Sequence, residues 1–401
     1  MNSFKIRVLK FGGSSVKDSE AIESCAKLVK KQTDQNYKVC VVVSAMGTQT
    51  NQLLELAYNL SDSPSQRELD MLLSTGERVS CALLAIALIK KGLKAISLTG
   101  SQSGILTDGV HQNAKLSDIK CDRILESFRL YDVIVIAGFQ GVNPETKEIT
   151  TLGRGGSDLT AVALGVKLKA KDCMIYTDVD GILTGDPRLC SEAKTVPKVS
   201  WEQAYCLSCK GAQVLHYRAS YLALKNQLPL IVLNSKDPMS NGTRVEGHIM
   251  ENQVTKFISY KKNQTFLKIQ GSHKETQTLY EDLLAWLWKK DELPSLARLE
   301  SLGSEKIQMS LLIRNDLLSG LKSYLNEMNP SLKFFVEQDD VLVLFMIGQG
   351  YSHNLDFIKK AKSLLKKTLV FFDSNESFIT LGLKTDIPNE TINLFHNYFL
   401  K

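Results

Sequence analysis

Four polar clusters, each directly after a short apolar run, hold the residue types that bind anions. The first is Lys10-Phe11-Gly12-Gly13-Ser14-Ser15. Adjacent glycines let the backbone approach an anion closely, their N–H groups can form a concave donor set, and Lys10 adds a point charge. A plain strand–turn–helix corner explains the glycines but not the flanking lysine, so phosphate binding is expected here. The Walker A pattern G-x-x-x-x-G-K-[ST] is absent. The second cluster, Ser44-Ala45-Met46-Gly47-Thr48-Gln49-Thr50-Asn51, is a hydroxyl-rich loop opening a helix, and taken alone it reads as helix capping. The third is Gly138-Phe139-Gln140-Gly141 followed by the run Thr151 to Ala161, which contains Gly153-Arg154-Gly155-Gly156-Ser157-Asp158. An arginine among three glycines at a helix start suits bidentate recognition of a carboxylate or phosphate. Asp158 can serve as a helix-start acid, but in this setting an aspartate that places cations is the stronger reading. The fourth cluster runs from Tyr176 to Arg188 and offers Thr177, Asp178, Asp186 and Arg188 to a nucleotide's ribose and phosphates.

The elements that must position these clusters follow from apolar periodicity. Short runs rich in Val, Ile and Leu predict strands at Lys5–Phe11, Lys38–Ser44, Lys94–Thr99, Asp132–Phe139, Cys173–Thr177 and Pro229–Asn234. Near-continuous apolar strands are covered on both faces, as in a mostly parallel sheet. Between them lie helical patterns at Ser19–Lys31, Gln66–Lys91 and Asp158–Lys169, so the series is βαβα and the class an α/β sandwich. Residues 236–250 hold the turn formers of a domain connection. Beyond them the order changes to strand Thr265–Gln270, helix Glu275–Lys290, strands near Ala297–Glu300 and Lys306–Ile313, and helix Asp316–Met328. Two strands flanking Asp339-Asp340, helix Leu355–Lys366, strands Thr368–Phe372 and Phe378–Leu383 and helix Asn389–Phe399 complete the chain. That order fits two small ferredoxin-like β-α-β-β-α-β units with shared elements. No catalytic constellation of polar residues is visible in this half, which reads as regulatory or oligomerising.

Composition narrows the classes. The 401 residues, 43% hydrophobic and 23% charged with a net charge of +6, suit two or three globular domains and an anionic small substrate. No dense basic block with interleaved aromatics occurs, which argues against nucleic acid. The apolar stretch Val79–Ile89 is half the length that spans a bilayer, and the N-terminus shows no signal-peptide pattern, so neither membrane insertion nor secretion is expected. The eight cysteines are then expected to stay reduced. Cys206-Leu-Ser-Cys209 lacks the second ligand pair of a structural zinc and lies in a helix-like stretch, so no metal site is assigned.

The four clusters, in this order, resemble the aspartate kinases of the amino acid kinase superfamily. Lys10–Ser15 resembles that family's K-F-G-G-[ST]-S signature, Thr75-Gly76-Glu77 its G-E element, Gly153–Ala161 its G-R-G-G-S-D-x-T-A run, and Thr177–Arg188 its T-D-V-x-G-x-x-T-x-D-P-R loop. The resemblance covers residues 5–245 by motif, and the tail is similar to the family's paired ACT modules by layout. It implies an amino-acid-kinase α/β/α sandwich over 1–245 and tandem ACT-like regulatory or oligomerisation modules over 255–401. The implied reaction is ATP- and Mg2+-dependent phosphorylation of the L-aspartate side-chain carboxylate to 4-phospho-L-aspartate, the first step toward lysine, threonine and methionine.

Residue by residue, the resemblance implies that Lys10 and the Gly12 and Gly13 amides, with Ser14, hold the β- and γ-phosphates. Thr177, Asp178, Leu183, Asp186, Arg188, Gln213 and Val214 would line the ATP site. Arg154 would clamp the α-carboxylate of aspartate, Glu77 would pair with its amino group, and Ser44, Thr50, Gly155, Gly156 and Ser157 would help seat it. Lys10 and Asp158 would be the catalytic pair, with Asp158 orienting the cationic groups. Transfer to a carboxylate needs no general base, because the nucleophile is already ionised, and positioning with electrostatics does most of the work. The implied setting is cytoplasmic, the implied assembly a homodimer or larger, and an amino-acid effector at the ACT-like part is expected.

The chain departs from the pattern in one place. Where the family has G-A-K-V-L-H-P, this chain has Gly211-Ala212-Gln213-Val214-Leu215-His216-Tyr217. Gln213 lacks the positive charge that the family's lysine brings to the phosphates, and Lys210 is the expected substitute. The glycine-rich turn that ACT modules use for amino acids is thin, with Gly271-Ser272-His273-Lys274 the nearest counterpart. Two readings remain beside the working kinase: a specialised copy in a dedicated pathway, and a weakened subunit that binds nucleotide or amino acid beside an active partner. Glutamate 5-kinase and acetylglutamate kinase are disfavoured by the Gly153–Ala161 and Thr177–Arg188 runs together.

Overall fold

Short β-branched runs build the core of the first half, and amphipathic helices cover both faces. The computed structural model describes residues 4–400 apart from 238, 249–255, 304–305, 329–331, 349–354, 366–367, 376 and 385–388. The chain divides into two compact units, Met1–Ile182, Thr195–Ser208 and Gln213–Ile249 in one, and Leu183–Lys194, Cys209–Ala212 and Met250–Lys401 in the other. The first domain expected from the sequence, 1–245, is therefore interrupted twice, at 183–194 and at 209–212.

In the first unit the elements are β1 (Ile6–Phe11), α1 (Ser19–Thr33), β2 (Lys38–Val43), α2 (Gln49–Leu60), α3 (Gln66–Lys90), β3 (Ala95–Leu98), β4 (Ile105–Thr107), β5 (Leu116–Ile119), α4 (Asp122–Ser127), β6 (Val133–Ala137), β7 (Gln140–Val142) and β8 (Ile149–Thr151). There follow α5 (Gly156–Lys167), β9 (Cys173–Thr177), β10 (Lys198–Val199), α6 (Trp201–Cys209), α7 (Tyr217–Asn226), β11 (Leu230–Asn234) and β12 (Thr243–Val245). Eight strands form one sheet in the order β10-β12-β11-β9-β1-β2-β6-β3. Its pairs are parallel except for β11 with β12. The register sets Phe11 beside both Val43 and Tyr176, and Val43 beside Ala137. Strands running one way in register end together, so the chain leaves β1, β2, β6 and β9 at the same edge of the sheet, where α/β sheets hold their ligands. The first, second, third and fourth clusters all open there. A smaller sheet, β5-β4-β7-β8, was not foreseen, because runs of three or four residues carry too little periodicity to read.

Helix α3 corrects the expectation drawn from Val79–Ile89. It is 25 residues long and apolar enough over an 18-residue window to cross a bilayer by length and composition. Its Cys81, Leu84, Ala85 and Leu88 instead pack with the valines of β2 in the unit's core, and the same helix buries Asp70 and Glu77.

The second unit contains β13 (Phe257–Ser272), α8 (His273–Lys289), β14 (Leu296–Ser301), β15 (Lys306–Arg314), α9 (Leu318–Met328), β16 (Lys333–Ile347), α10 (Leu355–Leu365), β17 (Leu369–Ser374), β18 (Phe378–Lys384) and α11 (Asn389–Leu400). All pairs of its six-stranded sheet, β14-β15-β13-β16-β18-β17, are antiparallel. One apolar core gathers α8 and α9, and a second gathers α10 and α11. The two modules share β13 and β16. The start of β13, Phe257–Lys261, pairs with the end of β16 and closes the second module, while the rest of β13 pairs with β15 in the first. The two strands expected around Asp339-Asp340 are one strand, kinked where Asp340 adopts φ +54° and the register against β13 shifts. Leu189 and Cys190, from the loop after the fourth cluster, are buried in the second module's core with Ile392 and Phe395. Gly271 and Ser272 are the last residues of β13, and α8 begins at His273, so no turn separates them.

Candidate active site

The first and third clusters meet. Lys10 Nζ lies 2.7 Å from Asp158 Oδ1, with each side chain 12% exposed, although the two residues are far apart in sequence. Lys10 sits at the end of β1 and Asp158 in the first turn of α5, where the helix dipole favours an acid. The pair leaves a cation held in place at the edge where the strands end.

Around Lys10 the backbone is compressed. Gly47 N donates to Gly13 O at 3.0 Å, and a Cβ on Gly13 would lie 2.9 Å from Ala45 O, so only glycine lets the first and second loops close on each other. Gly12 N donates to Tyr176 O at 3.4 Å, so of the two amides expected to face phosphate, that of Gly12 already has an acceptor. Ser14 is half-buried in the short turn Gly13–Val16. The fourth loop is tied to the first through Ser235, whose hydroxyl accepts from Ser15 Oγ at 2.8 Å and donates to Thr177 O at 3.0 Å. Thr177 Oγ1 donates to the exposed Asp178. Leu183, Asp186 and Arg188 belong to the second unit. There Asp186 and Arg188 pair with each other at 2.6 Å. Partial burial pushes the Asp186 carboxyl up, but the Arg188 hydrogen bonds outweigh it and leave the carboxyl below its ordinary range.

The second loop meets the G-E element of α3. Ala45 N donates to Glu77 Oε1 at 3.0 Å, while Glu77 Oε2 is buried without a hydrogen-bond partner among the described residues. Burial pushes the Glu77 carboxyl up to about 7, against the two backbone hydrogen bonds that favour its ionised form. No cation lies within ion-pair distance of it among the described residues. Ser80 Oγ donates to Ser44 O at 2.7 Å and fixes the start of the same loop, and Thr50 lies half-buried in the first turn of α2.

Arg154 is exposed, with no ion pair among the described residues, between Gly153 at φ +74° and Gly155 at φ +65°. Gly155 caps α5, and Gly156 and Ser157, both buried, begin it beside Asp158. Gln213 is exposed and Val214 half-buried in the turn between α6 and α7. Lys210, the expected substitute for the missing lysine, is engaged by aromatic rings. Its ammonium lies 4.0 Å from the Phe378 ring centre and 5.2 Å from that of Phe345, within the second unit.

Sequence reasoning missed four residues that hold this site. Asp70 is fully buried on α3, 2.6 Å from His111 Nδ1, and it accepts from Gln112 N and from the Thr151 hydroxyl. Ser235 joins two loops, and His216 and Arg218 brace the Arg154 loop. Asp70, Ser235 and Arg218 find their partners tens to hundreds of residues away, and His216, although it stands in the Gly211–Tyr217 run, meets Gly155 only through the fold.

A family-level match to the amino acid kinase family spans residues 5–234, more than half of the chain. The chain belongs to the amino acid kinase family. Among its relatives is an aspartate kinase of Stutzerimonas stutzeri, 46% identical over 266 residues, which are 66% of this chain and 64% of that enzyme. Aspartokinase 2 of Bacillus subtilis is 37% identical over 351 residues, covering 86% of this chain and 85% of that protein. The fold matches E. coli aspartokinase III, solved with aspartate and ADP in an R-state, at TM-score 0.81 and 22% identity over 98% of this chain and all of the other. The same E. coli protein with lysine and aspartate, in a T-state, matches at TM-score 0.69, with 22% identity over 99% of this chain and all of the other. This family member thus has aspartokinases as relatives in both sequence and fold.

Proposed function

We propose that the protein is an aspartate kinase: it transfers the γ-phosphoryl group of MgATP to the side-chain carboxylate of L-aspartate, giving 4-phospho-L-aspartate and ADP. The observation that carries this reading is the pairing of a fixed cation with an unmatched buried acid at one sheet edge. Lys10, held by Asp158, supplies positive charge for the transferring phosphoryl group. Glu77 supplies a carboxylate whose missing counter-charge fits the substrate's ammonium. Arg154, exposed, without an ion pair among the described residues and flanked by glycines, suits the α-carboxylate. Ser44, Thr50 and Ser157 seat the substrate, and Gly13, Ser14, Thr177 and Asp178 serve the nucleotide. The magnesium ion of MgATP is taken as part of the substrate.

Each step then follows from position. Arg154 and Glu77 orient the zwitterion, the ionised side-chain carboxylate attacks the γ-phosphorus, and charge moving to the leaving ADP is met by Lys10. Support for the substrate also comes from the E. coli relative, whose structure holds aspartate and ADP. That relative's complex with lysine motivates an amino-acid effector for the second unit, and we extend the proposal to a homo-oligomer acting in the cytoplasm, where eight free thiols are stable. ADP release measured with aspartate, glutamate and succinate tests the reading. Aspartate should be strongly preferred, and succinate, lacking the amine, should be poor. Equal rates with succinate would remove Glu77 from the site.

A further inference from the structure

In the loop that carries Arg154 both neighbours of the arginine are glycines in the left-handed region. Such a loop is entropically costly to hold in one shape. Its bracing comes from the start of α7. Arg218 Nη1 donates to Leu152 O at 2.7 Å, and Nη2 donates to Ala114 O at 2.9 Å. Leu152 lies two residues before Arg154, and its N–H donates to Phe139 O at 2.8 Å. Ala114 N in turn donates to Thr151 O at 2.9 Å, so one guanidinium joins the two chain segments that meet here. His216, the residue that caps α7 and accepts from Arg218 N at 3.4 Å, occupies the space where Gly155 would carry a side chain. Leu152 and Ala114 are fully buried with Leu159 in a small core of their own, so the carbonyls that accept from Arg218 cannot turn to water instead.

We propose that Arg218 is a positioning residue for aspartate recognition: by fixing the Leu152 and Ala114 carbonyls with its planar fork, it sets the backbone from which Arg154 reaches the substrate's α-carboxylate. The inference rests on the aspartate kinase reading and on Arg154's role in it. Arg218 acts through Arg154 and not on the nucleotide. A lysine cannot reproduce two divergent donors from one planar group, so it restores the function only in part.

The test uses the full-length protein and the variants Arg218→Met, Arg218→Lys, Arg154→Met and the double variant Arg154→Met/Arg218→Met. KM for aspartate, KM for ATP, kcat and thermal midpoint are measured for each. Arg218→Met should raise KM for aspartate about tenfold and leave KM for ATP within about twofold, with Arg218→Lys in between. In the double variant KM for aspartate should match that of Arg154→Met alone, because residues acting in one unit are not additive. If the two effects multiply, or if both KM values rise together, Arg218 is a general structural residue and the inference falls. If Arg218→Met is inert while Arg154→Met raises KM for aspartate, the inference falls and the aspartate kinase reading stands. If Arg154→Met itself leaves aspartate binding unchanged, both fall. Should Arg218→Met fail to fold, Arg218→Lys alone and combined with Arg154→Met carries the same comparison.

Discussion

Both units bury an acid, and they treat it differently. In the second unit Glu292 is 5% exposed, and burial pushes its carboxyl up, yet Lys261 and Arg314 face it, Arg314 Nε at 3.5 Å from Oε2. Burial correspondingly pushes Lys261 down. In the first unit Glu77 is equally buried, is pushed up to about 7, and faces no cation of the protein among the described residues. A buried charge that the fold does not neutralise is costly unless something else neutralises it. The contrast lies in the charges and not in the burial: Glu292 faces cations of the protein, whereas Glu77 faces none among the described residues, which is the setting that the proposed pairing with an ammonium requires.

The largest expected effect breaks the comparison on the cation side. Lys10→Met should lower kcat about 10²–10³-fold while moving KM for ATP far less, because the lost charge acts on the transition state. Steady-state kinetics check it, and unchanged kcat would take Lys10 out of the chemistry.

Next in size is Glu77→Gln, which should raise KM for aspartate by roughly 10–100-fold, the cost of leaving one partner of a buried charge pair alone. The same group gives a pH signature. Because aspartate's ammonium needs the ionised form, kcat/KM for aspartate should climb as pH rises through about 7 and then level off. That step should vanish in Glu77→Gln. The sign for stability is opposite: a carboxyl raised from 4.5 to about 7 in the fold stabilises it most below 4.5 and loses that contribution as pH rises through about 7. Unfolding free energy of the free protein should therefore fall across that window, and less steeply in Glu77→Gln.

Smaller still is Gln213→Lys, which restores a cation that this chain lacks. It should raise kcat about tenfold, given the ~10² that one such donor contributes elsewhere. The placement of Lys210 over Phe378 and Phe345 makes this gain the expected outcome, since that lysine is engaged in the second unit. The smallest effect is that of Lys210→Met, which should cost about 1 kcal/mol of stability through the lost cation–π contacts and leave kcat within twofold. A collapse of kcat in this variant, read beside its chemical denaturation curve, would return Lys210 to the site.

How far the sequence carried follows the same division. Six strands of the first unit, β1, β2, β3, β6, β9 and β11, are runs such as Lys38–Val43, and their expected ends agree with the structure to within two residues, whereas β4, β5, β7, β8, β10 and β12 are too short to be read. Lys10, Glu77, Arg154 and Asp158 stand in the short runs that carry the family resemblance, so they could be named as candidates before the fold was known. The bracing roles of Asp70, Ser235, His216 and Arg218 could not be read, because each acts on a partner that only the fold brings near, Gly155 in the case of His216. In the second unit the element order was readable, but not the single kinked strand around Asp340. Two adjacent aspartates look like a turn, and long-range pairing with β13 overrides that local preference. The membership of 183–194 and 209–212 in the second unit is equally a matter of tertiary contacts, with no compositional break to announce it.

The central claim is that Lys10, set by Asp158, drives phosphoryl transfer to aspartate. The most direct measurement traps the acyl phosphate: full-length protein with L-aspartate, MgATP and hydroxylamine, assayed for aspartyl hydroxamate and ADP, beside Lys10→Met under the same conditions. The account predicts hydroxamate and ADP formed one for one by the unaltered protein and almost none by the variant. ADP without hydroxamate, or equal hydroxamate from the variant, would contradict it.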